Sequence, residues 1–452
     1  MKLRTALAVA GSDSGGGAGI QADLKTFSAL GVYGFSAITS VTAQNTRAVT
    51  RIFHLPAEMV EAQIAAVFDD LPVDAVKTGM LGSGENVEAV AKGLKHYKAK
   101  NIVVDPVMVA KSGAALLEPD AEELMVKRIV PLATVLTPNR FEAERITGRS
   151  ITDESGAWEA GRAMHRLGAA YVVVKGGHFS GDLATDYLVG SGIEERVTSP
   201  RVDTQNTHGT GCTFSSAIAA SLALGVNVVE AVKRAKMFIY RTIYHSLELG
   251  GGHGPANQLV EIIQSRETLA ALGNVLQAVR LLEADRHVSQ LIPEVQSNLA
   301  MVPLGAIHPE EAIGIQGRIV RMGDVVRVQG QILPGGSGHI ARIAFEASRH
   351  DPTIRAAMNV RYGPDVLEAC ERLGFIMGTF NRNEEATSLK EREGRTVSWG
   401  TRLAIQRAGK VPDVVHDRGD VGKEPMIRVL GRNAVDVAKK VLHLARELSK
   451  RQ

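Results

Sequence analysis

The sequence has little cysteine. Cys212 and Cys370 are the two in 452 residues, far apart and without metal-ligand spacing, which excludes a disulfide framework and a cysteine-built metal centre and makes a reducing cytoplasm the expected setting. Charge of one sign is also missing: a net charge of +3 is too small to hold nucleic acid or an anionic membrane surface. Long apolar runs are absent too. The start, Met1-Lys-Leu-Arg-Thr-Ala-Leu-Ala-Val-Ala-Gly11, is basic and then apolar like a signal peptide, but its short apolar run passes straight into glycines. It therefore reads as a buried first strand, and no stretch is long enough to span a bilayer. What is present, 44% hydrophobic and 22% charged residues, is the composition of a globular chain. Its length exceeds what one core usually supports, so two domains are expected.

Along residues 1–258, short apolar runs alternate with longer amphipathic ones. Strands are expected at 6–10, 36–41, 75–77, 102–104, 134–136 and 171–174, and helices at 21–30, 57–68, 86–96, 122–129 and 157–167. Continuously apolar strands separated by helices imply a parallel sheet covered on both faces. Ligands then bind beyond the carboxyl ends of the strands, where the polar clusters of this sequence fall.

The first cluster, Gly11-Ser-Asp-Ser-Gly-Gly-Gly-Ala-Gly19, follows the first strand but lacks what two familiar loops require. A Walker A loop needs Lys then Ser or Thr after its last glycine, and Ile20 and Gln21 stand there instead. A dinucleotide fingerprint needs an acid ending the second strand, which runs instead into Thr42-Ala-Gln-Asn-Thr46. A loop that lets a small organic substrate approach the backbone remains. Asp23 and Gln44 then offer a carboxylate and an amide to a heteroaromatic ring, although either alone also reads as a solvated polar residue.

The segment around which the chain is organised is Asn206-Thr-His-Gly-Thr-Gly-Cys212, followed by the small, helix-forming run 213–224. Small residues let backbone N–H groups converge, and a helix starting there adds the positive end of its dipole, so the turn reads as an anion hole for a phosphate. Cys212 on the first helical turn is expected to have a lowered thiol pKa. The competing reading is a glycine-rich turn before a packed helix with a buried cysteine. Asp105 in Val103-Val-Asp-Pro-Val-Met108, with Asn139 and Glu142 in Leu136-Thr-Pro-Asn-Arg-Phe-Glu142, supplies strand-end oxygens that suit magnesium on a nucleotide. Lys175-Gly-Gly-His178 adds a cation near the same rim.

These motifs, together with Ala10-Gly-Ser-Asp-Ser-Gly-Gly-Gly-Ala-Gly-Ile-Gln-Ala-Asp-Leu-Lys-Thr26, resemble in order the hydroxymethylpyrimidine and phosphomethylpyrimidine kinases of thiamine biosynthesis. The resemblance implies a ribokinase-like, three-layer α/β fold. It also implies that 4-amino-5-hydroxymethyl-2-methylpyrimidine is phosphorylated with ATP and Mg2+, first to the monophosphate and then to the diphosphate. Carried over by position, Gly209 and Gly211 would hold the phosphoryl oxygens, and Cys212 would stand where related sugar kinases have a catalytic Asp. Gly11, Asp23, Gln44, Met80 and Val107 would bind the pyrimidine, Asn139, Lys175, Thr207 and Thr210 would bind ATP, and Asp105 and Glu142 would hold the metal. The implied partners are small molecules, with neither nucleic acid nor membrane, and the implied assembly is a homo-oligomer, a dimer.

The breaker-rich Gly250-Gly-Gly-His-Gly-Pro-Ala-Asn257 closes this part. Leucines and isoleucines at helical spacing follow over 259–291, and from about Val295 the texture changes to short strands, with a turn expected at Gly323 and Asp324. Helices are expected at 364–373 and 434–448, and Arg361, Arg395 and Lys423 fall at expected loop positions. Met358-Asn-Val-Arg-Tyr362, Gly394-Arg-Thr-Val-Ser-Trp399 and Pro412-Asp-Val-Val-His416 resemble the thiamine-phosphate synthase domain found fused to this kinase, a fold similar to class II aldolases. The resemblance implies that Arg395 and His416 serve the condensation of the pyrimidine diphosphate with thiazole phosphate, releasing pyrophosphate. The expected domains are 1–258, a linker or helix at 259–275, and 276–452. Two other readings stay open: a pyridoxal-type vitamin kinase, and a C-terminal domain that only senses thiamine phosphates.

Overall fold

The computed structural model describes residues 3–450 apart from 110–112, 114–115, 178, 180, 385–394 and 421–422. It divides into two compact units, Met1–Ile262 and Ile263–Gln452.

In the first unit, β1 (Arg4–Asp13), β2 (Val32–Gln44), β3 (Val49–His54), β4 (Ala75–Thr78), β5 (Ile102–Val104), β6 (Val135–Leu136), β7 (Tyr171–Val174), β8 (Leu183–Gly190) and β9 (Ile193–Pro200) form one sheet. Their order is β3-β2-β1-β4-β5-β6-β7-β8-β9. The six strands expected from apolar runs make its parallel centre. The wholly parallel sheet expected from sequence is corrected at both edges, where β3 pairs antiparallel with β2, and β8 pairs antiparallel with both β7 and β9. Edge strands keep one face in solvent, so β9 alternates buried and exposed residues and carries no continuous apolar run.

Central strands are covered on both sides. In β1, Leu7 and Val9 enter the core beneath α2 (Ala57–Asp70), α3 (Gly84–His96), α4 (Pro119–Arg128), α5 (Arg140–Thr147) and α6 (Glu154–Arg166). Its Ala6, Ala8 and Ala10 face the opposite core with α1 (Gly19–Ala29), α7 (Thr210–Ala223) and α8 (Val228–Tyr244). From Thr213 to Ala223 every residue of α7 is buried, and a helix enclosed in this way needs the small side chains that dominate it and the strand face beneath it.

A buried ion pair ties three elements of that layer together. Lys77 of β4 donates through Nζ to both carboxylate oxygens of Asp23 on α1 at 2.8 and 2.9 Å, and Ser216 of α7 donates to Asp23 Oδ1 at 2.7 Å. Both charged side chains are wholly enclosed. The expectation that Asp23 presents its carboxylate to a substrate is therefore corrected: all its described bonds go to Lys77 and Ser216.

The stretch expected as a linker or helix begins α9 (Val260–Ala284), one continuous helix. After it, in the second unit, come β10 (Leu299–Met301), β11 (Ile313–Ile315), β12 (Arg318–Met322), β13 (Val325–Gln329), β14 (Ile332–Pro334), α10 (His339–His350), β15 (Ala356–Arg361), α11 (Pro364–Arg372), β16 (Met377–Thr379), α12 (Arg395–Ala408), β17 (Val414–Asp417), β18 (Met426–Gly431) and α13 (Ala434–Ser449). A mainly antiparallel sheet of order β14-β11-β10-β15-β18-β17-β16 separates two cores, one containing α9 and α13 and the other α10 and α12. β12 and β13 form the expected hairpin, turning at Gly323 with φ of 67°.

Breaking the buried pair with Asp23→Ala strands Lys77 without a counter-charge, so the first unit should lose about 3–5 kcal/mol of stability. Urea unfolding checks this, and an unchanged midpoint with a raised substrate KM would return Asp23 to the binding site.

Candidate active site

A cleft of about 1420 Å³ opens at the carboxyl ends of the parallel strands. Its walls include Gly11 and Met80, which lie against each other: a side chain at Gly11 would come within 3.0 Å of Met80 Sδ. Gln44, Val107, Asp105, Asn139, Glu142 and Lys175 also line it, as do Thr207, Gly209, Thr210, Gly211 and Cys212. Of the site residues expected in the first unit, only Asp23 is not on this wall.

The floor is the start of α7. Gly209 is its N-cap in the left-handed conformation, φ 79°, with no side-chain cap. A Cβ there would stand 1.7 Å from the Gly17 carbonyl oxygen, so glycine is demanded twice, by φ and by contact. The uncapped first turn leaves N–H donors facing the cleft, an anion-binding arrangement. A Cβ on Gly211 would lie 3.4 Å from Asp105 Oδ2 and 3.5 Å from Lys175 Nζ, so a carboxylate and an ammonium meet at the mouth of that turn.

The expected acidic thiol is corrected. Burial pushes Cys212 up to about 11, against the Lys77 charge and the Gly19 N–H, and the nearby Asp23 and Asp105 carboxylates add to the rise. Desolvation of a thiolate outweighs the helix dipole here, so the side chain is a neutral thiol at pH 7. Lys77 below it stays charged: burial opposes its charge, but Asp23, with Cys212 and Asp105, lifts it above its ordinary value.

Across from the helix start, Lys175 donates to Asp105 Oδ1 at 3.0 Å. Asn139 and Glu142 form a capping box on α5, Asn139 Oδ1 accepting from the Glu142 N–H at 3.0 Å and Glu142 Oε2 from the Asn139 N–H at 2.7 Å. The Asn-x-x-Glu spacing is a helix-start signature that the sequence reading passed over. Burial pushes Glu142 up to about 7, Asp105 adding to the rise and Lys175 and the Asn139 N–H opposing it. Two carboxylates against one lysine leave the corner short of positive charge, and the pair is too sparse for an all-protein metal cage. Among the described residues no cluster of three metal-binding side chains occurs. Such a donor set fits magnesium, which keeps waters and phosphate oxygens as its other ligands.

Two cleft residues were legible only inside motifs and not as site residues. Asp13 Oδ2 accepts from the N–H groups of Gly17 and Ala18 at 3.1 and 2.9 Å and from His208 Nε2 at 2.9 Å, while Oδ1 accepts from the Gly15 N–H at 2.8 Å. Burial raises this carboxyl, but His208 and these N–H groups prevail and hold it below the usual range. Asp13 thus clips the first glycine loop to the turn that starts α7, with Gln44 Nε2 3.4 Å from the same His208 nitrogen.

In the second unit, His416 is half-buried on β17, its ring 6.1 Å from Tyr362 and its buried Nδ1 without a partner among the described residues. Burial lowers its pKa, more than the neighbouring Asp417 raises it, so it is neutral at pH 7. Arg395 opens α12, and its side chain lies outside the described residues, as does His178. Arg361 is not a free phosphate ligand: it donates to Gln290 O at 2.6 Å and to Asp365 Oδ1 at 3.0 Å. Lys423 is exposed.

The parallel sheet centre, the glycine-floored anion hole and the carboxylate–lysine corner define a ribokinase-like small-molecule kinase. The solved pyridoxal kinase of Bacillus subtilis in complex with ADP superimposes with a TM-score of 0.54 at 40% identity, covering 57% of this chain and 98% of that one. That of Staphylococcus aureus with AMP-PCP and pyridoxal gives 0.54 at 33%, covering 57% and 95%. The phosphomethylpyrimidine kinase family model matches residues 13–257, more than half of the chain, and the thiamine-phosphate synthase ThiN model matches 274–443. The chain belongs to the phosphomethylpyrimidine kinase family and carries a ThiN domain after the kinase, so it is an enzyme of thiamine biosynthesis. The hydroxymethylpyrimidine/phosphomethylpyrimidine kinase of Rhizobium meliloti is 53% identical over 255 residues, 56% of this chain and 96% of that protein. The thiamine biosynthesis bifunctional protein ThiED of Geobacter sulfurreducens is 52% identical over 254 residues, 56% of this chain and 52% of that protein, so the chain spans about half of that relative. No helix among the described residues is long and apolar enough to cross a membrane.

Alkylation of Cys212 by iodoacetamide, followed by mass spectrometry, should be slow at pH 7.5 and accelerate through pH 9 to 11 as the thiolate forms. A rate already at its plateau near pH 7 would restore the acidic thiol.

Proposed function

We propose that the first unit phosphorylates 4-amino-5-hydroxymethyl-2-methylpyrimidine twice with MgATP, to the monophosphate and then the diphosphate. In the same reading the ThiN unit joins that diphosphate to thiazole phosphate and releases pyrophosphate. The observation that carries the kinase half is the uncapped, glycine-floored start of α7 facing Lys175 and Asp105.

In this reading the anion hole receives the γ-phosphoryl group during transfer. Backbone N–H groups aligned before the reaction stabilise its equatorial oxygens at little reorganisation cost, which is most of what phosphoryl transfer asks of a protein. Gly11, Met80, Gln44 and Val107 form the wall for the pyrimidine, with Gln44 supplying the amide to its amino and ring-nitrogen groups. Asn139, Lys175, Thr207 and Thr210 face the nucleotide. Asp105 and Glu142 would hold magnesium, which supplies charge neutralisation to the triphosphate. Cys212 acts as a neutral thiol that donates a weak hydrogen bond at the transfer site, since a thiolate would repel the incoming phosphoryl oxygens. For the second unit, His416 contributes a neutral imidazole, and Arg395 contributes positive charge for the departing pyrophosphate. A homodimer completes the proposal.

The pyridoxal-kinase reading is kept by one observation, the two pyridoxal kinases among the solved relatives. Competition between pyridoxal and hydroxymethylpyrimidine for one limiting ATP pool separates them.

A coupled assay with hydroxymethylpyrimidine, MgATP and thiazole phosphate, resolved by chromatography, should show the pyrimidine diphosphate and thiamine phosphate both appearing. Diphosphate accumulating alone would make the ThiN unit a sensor. Because the Glu142 proton must leave before a metal binds, affinity for the magnesium nucleotide should fall as pH drops below 7, by up to about tenfold per unit. Glu142→Gln keeps a residue that serves the capping box and should flatten that dependence in calorimetric titrations; an unchanged slope assigns the metal elsewhere.

A further inference from the structure

Outside the kinase cleft, the densest group of buried charges among the described residues of the second unit is Arg382, Asp417 and Arg428. Arg382 donates from Nε to Asp417 Oδ1 at 2.7 Å and from Nη2 to Oδ2 at 3.4 Å. Arg428 donates from Nη1 to Asp417 Oδ2 at 2.5 Å and to the Met426 carbonyl at 3.4 Å. The three side chains are 8%, 0% and 5% exposed. Two guanidinium groups thus share one carboxylate in a desolvated place, and among the described residues the cluster carries one uncompensated positive charge.

Burial of unbalanced charge is costly unless something completes it. The Phe380 ring, with its centroid 6.0 Å from the Arg382 guanidinium carbon and 5.7 Å from that of Arg428, offsets part of the cost through its face. The hydrogen-bond count points the same way. Each guanidinium has five N–H donors. Among the described residues, Arg382 Nη1 and Arg428 Nε and Nη2 have no protein acceptor. Donor edges of two adjacent guanidinium groups, held in place by Asp417 between them, match the oxygens of a phosphate or diphosphate group better than those of any neutral ligand.

We propose that Arg382 and Arg428, fixed by Asp417, form a phosphate- or diphosphate-binding site in the second unit. It deepens the synthase reading, on which the identity of its natural ligand rests, because one substrate carries a diphosphate, the other a phosphate, and the product leaves as pyrophosphate. The site also gives the arginine pair a role distinct from that of Arg395. Asp417 sets the guanidinium planes, and the arginines bind the anion.

The test uses the full chain and inorganic pyrophosphate. The chain has two tryptophans, and the Trp399 ring stacks edge-on against Phe380 with centroids 6.2 Å apart. Trp158→Phe therefore leaves Trp399 as a fluorophore beside the site. Pyrophosphate should change its emission saturably, and chloride at matched ionic strength should not. Arg382→Gln and Arg428→Gln each leave Asp417 with one partner and a neutral pair, so both should fold and bind pyrophosphate about tenfold more weakly or worse. Should either fail to keep the native Trp399 spectrum, Arg428→Lys, which retains the charge, should keep measurable binding where the glutamine variants lose it. No saturable change, an equal response to chloride, or identical curves for wild type and both glutamine variants would overturn the proposal. Pyrophosphate binding lost in the variants while the wild type makes no thiamine phosphate would support the anion site and sink the synthase reading instead. Thiamine phosphate formation undisturbed by both glutamine substitutions would sink the anion site and spare the synthase.

Discussion

The close approach of Gly209 to the Gly17 carbonyl governs the kinase unit. At 1.7 Å from where a Cβ would sit, the first glycine loop is locked over the start of the central helix α7. The Asp13 carboxylate clips the two from the side through His208 and the loop N–H groups. Everything the cleft does chemically follows from that junction. It leaves the first turn of α7 without a side-chain cap, and it keeps the unsatisfied N–H groups pointed at the space where the strands end. Because α7 is buried from Thr213 to Ala223, the hole cannot drift: alanines on β1 and small residues on the helix leave no slack.

Charge is arranged in two levels around this junction. Beneath it, Lys77 and Asp23 neutralise each other wholly inside the protein and, through Ser216, fix the helix to two other elements. Above it, Asp105, Glu142 and Lys175 remain unbalanced in the sense a magnesium nucleotide would correct. Burial sets the proton on Glu142 and on Cys212 in the same direction, upward, because both would be anions in a place already holding carboxylates. Among the described residues the second unit inverts the pattern, with two arginines around one aspartate and a surplus of positive charge. A kinase that neutralises phosphates through a metal and a synthase that receives them on guanidinium groups would need these opposite signs.

Much of this was legible in the chain. Among the parallel strands β1, β5, β6 and β7 announce themselves because they are apolar on both faces, as Leu7 and Ala8 of β1 show by entering different cores. The Asn206–Cys212 turn and the strand-end Asp105, Asn139, Glu142 and Lys175 could be placed because residue order puts them after apolar runs, and the sheet brings all such ends to one side. The antiparallel edges were not visible, since β9 alternates buried and exposed residues like many exposed segments and β8 interrupts its apolar residues with Thr185 and the buried Asp186. Asp13 and His208 were written inside recognised motifs but had no evident task, because they are 195 residues apart.

The sequence by itself determined the parallel strands at the sheet centre, the glycine pattern of the anion hole and the family, because these depend on local periodicity and on residue types in a row. Tertiary structure alone decided the charge states and partners. Whether Asp23 meets a substrate or Lys77, whether Cys212 is thiol or thiolate, and whether Arg361 is free or held by Asp365 depend on burial and on neighbours supplied by distant segments. Desolvation and pairing act through space, and no pattern along the chain encodes them.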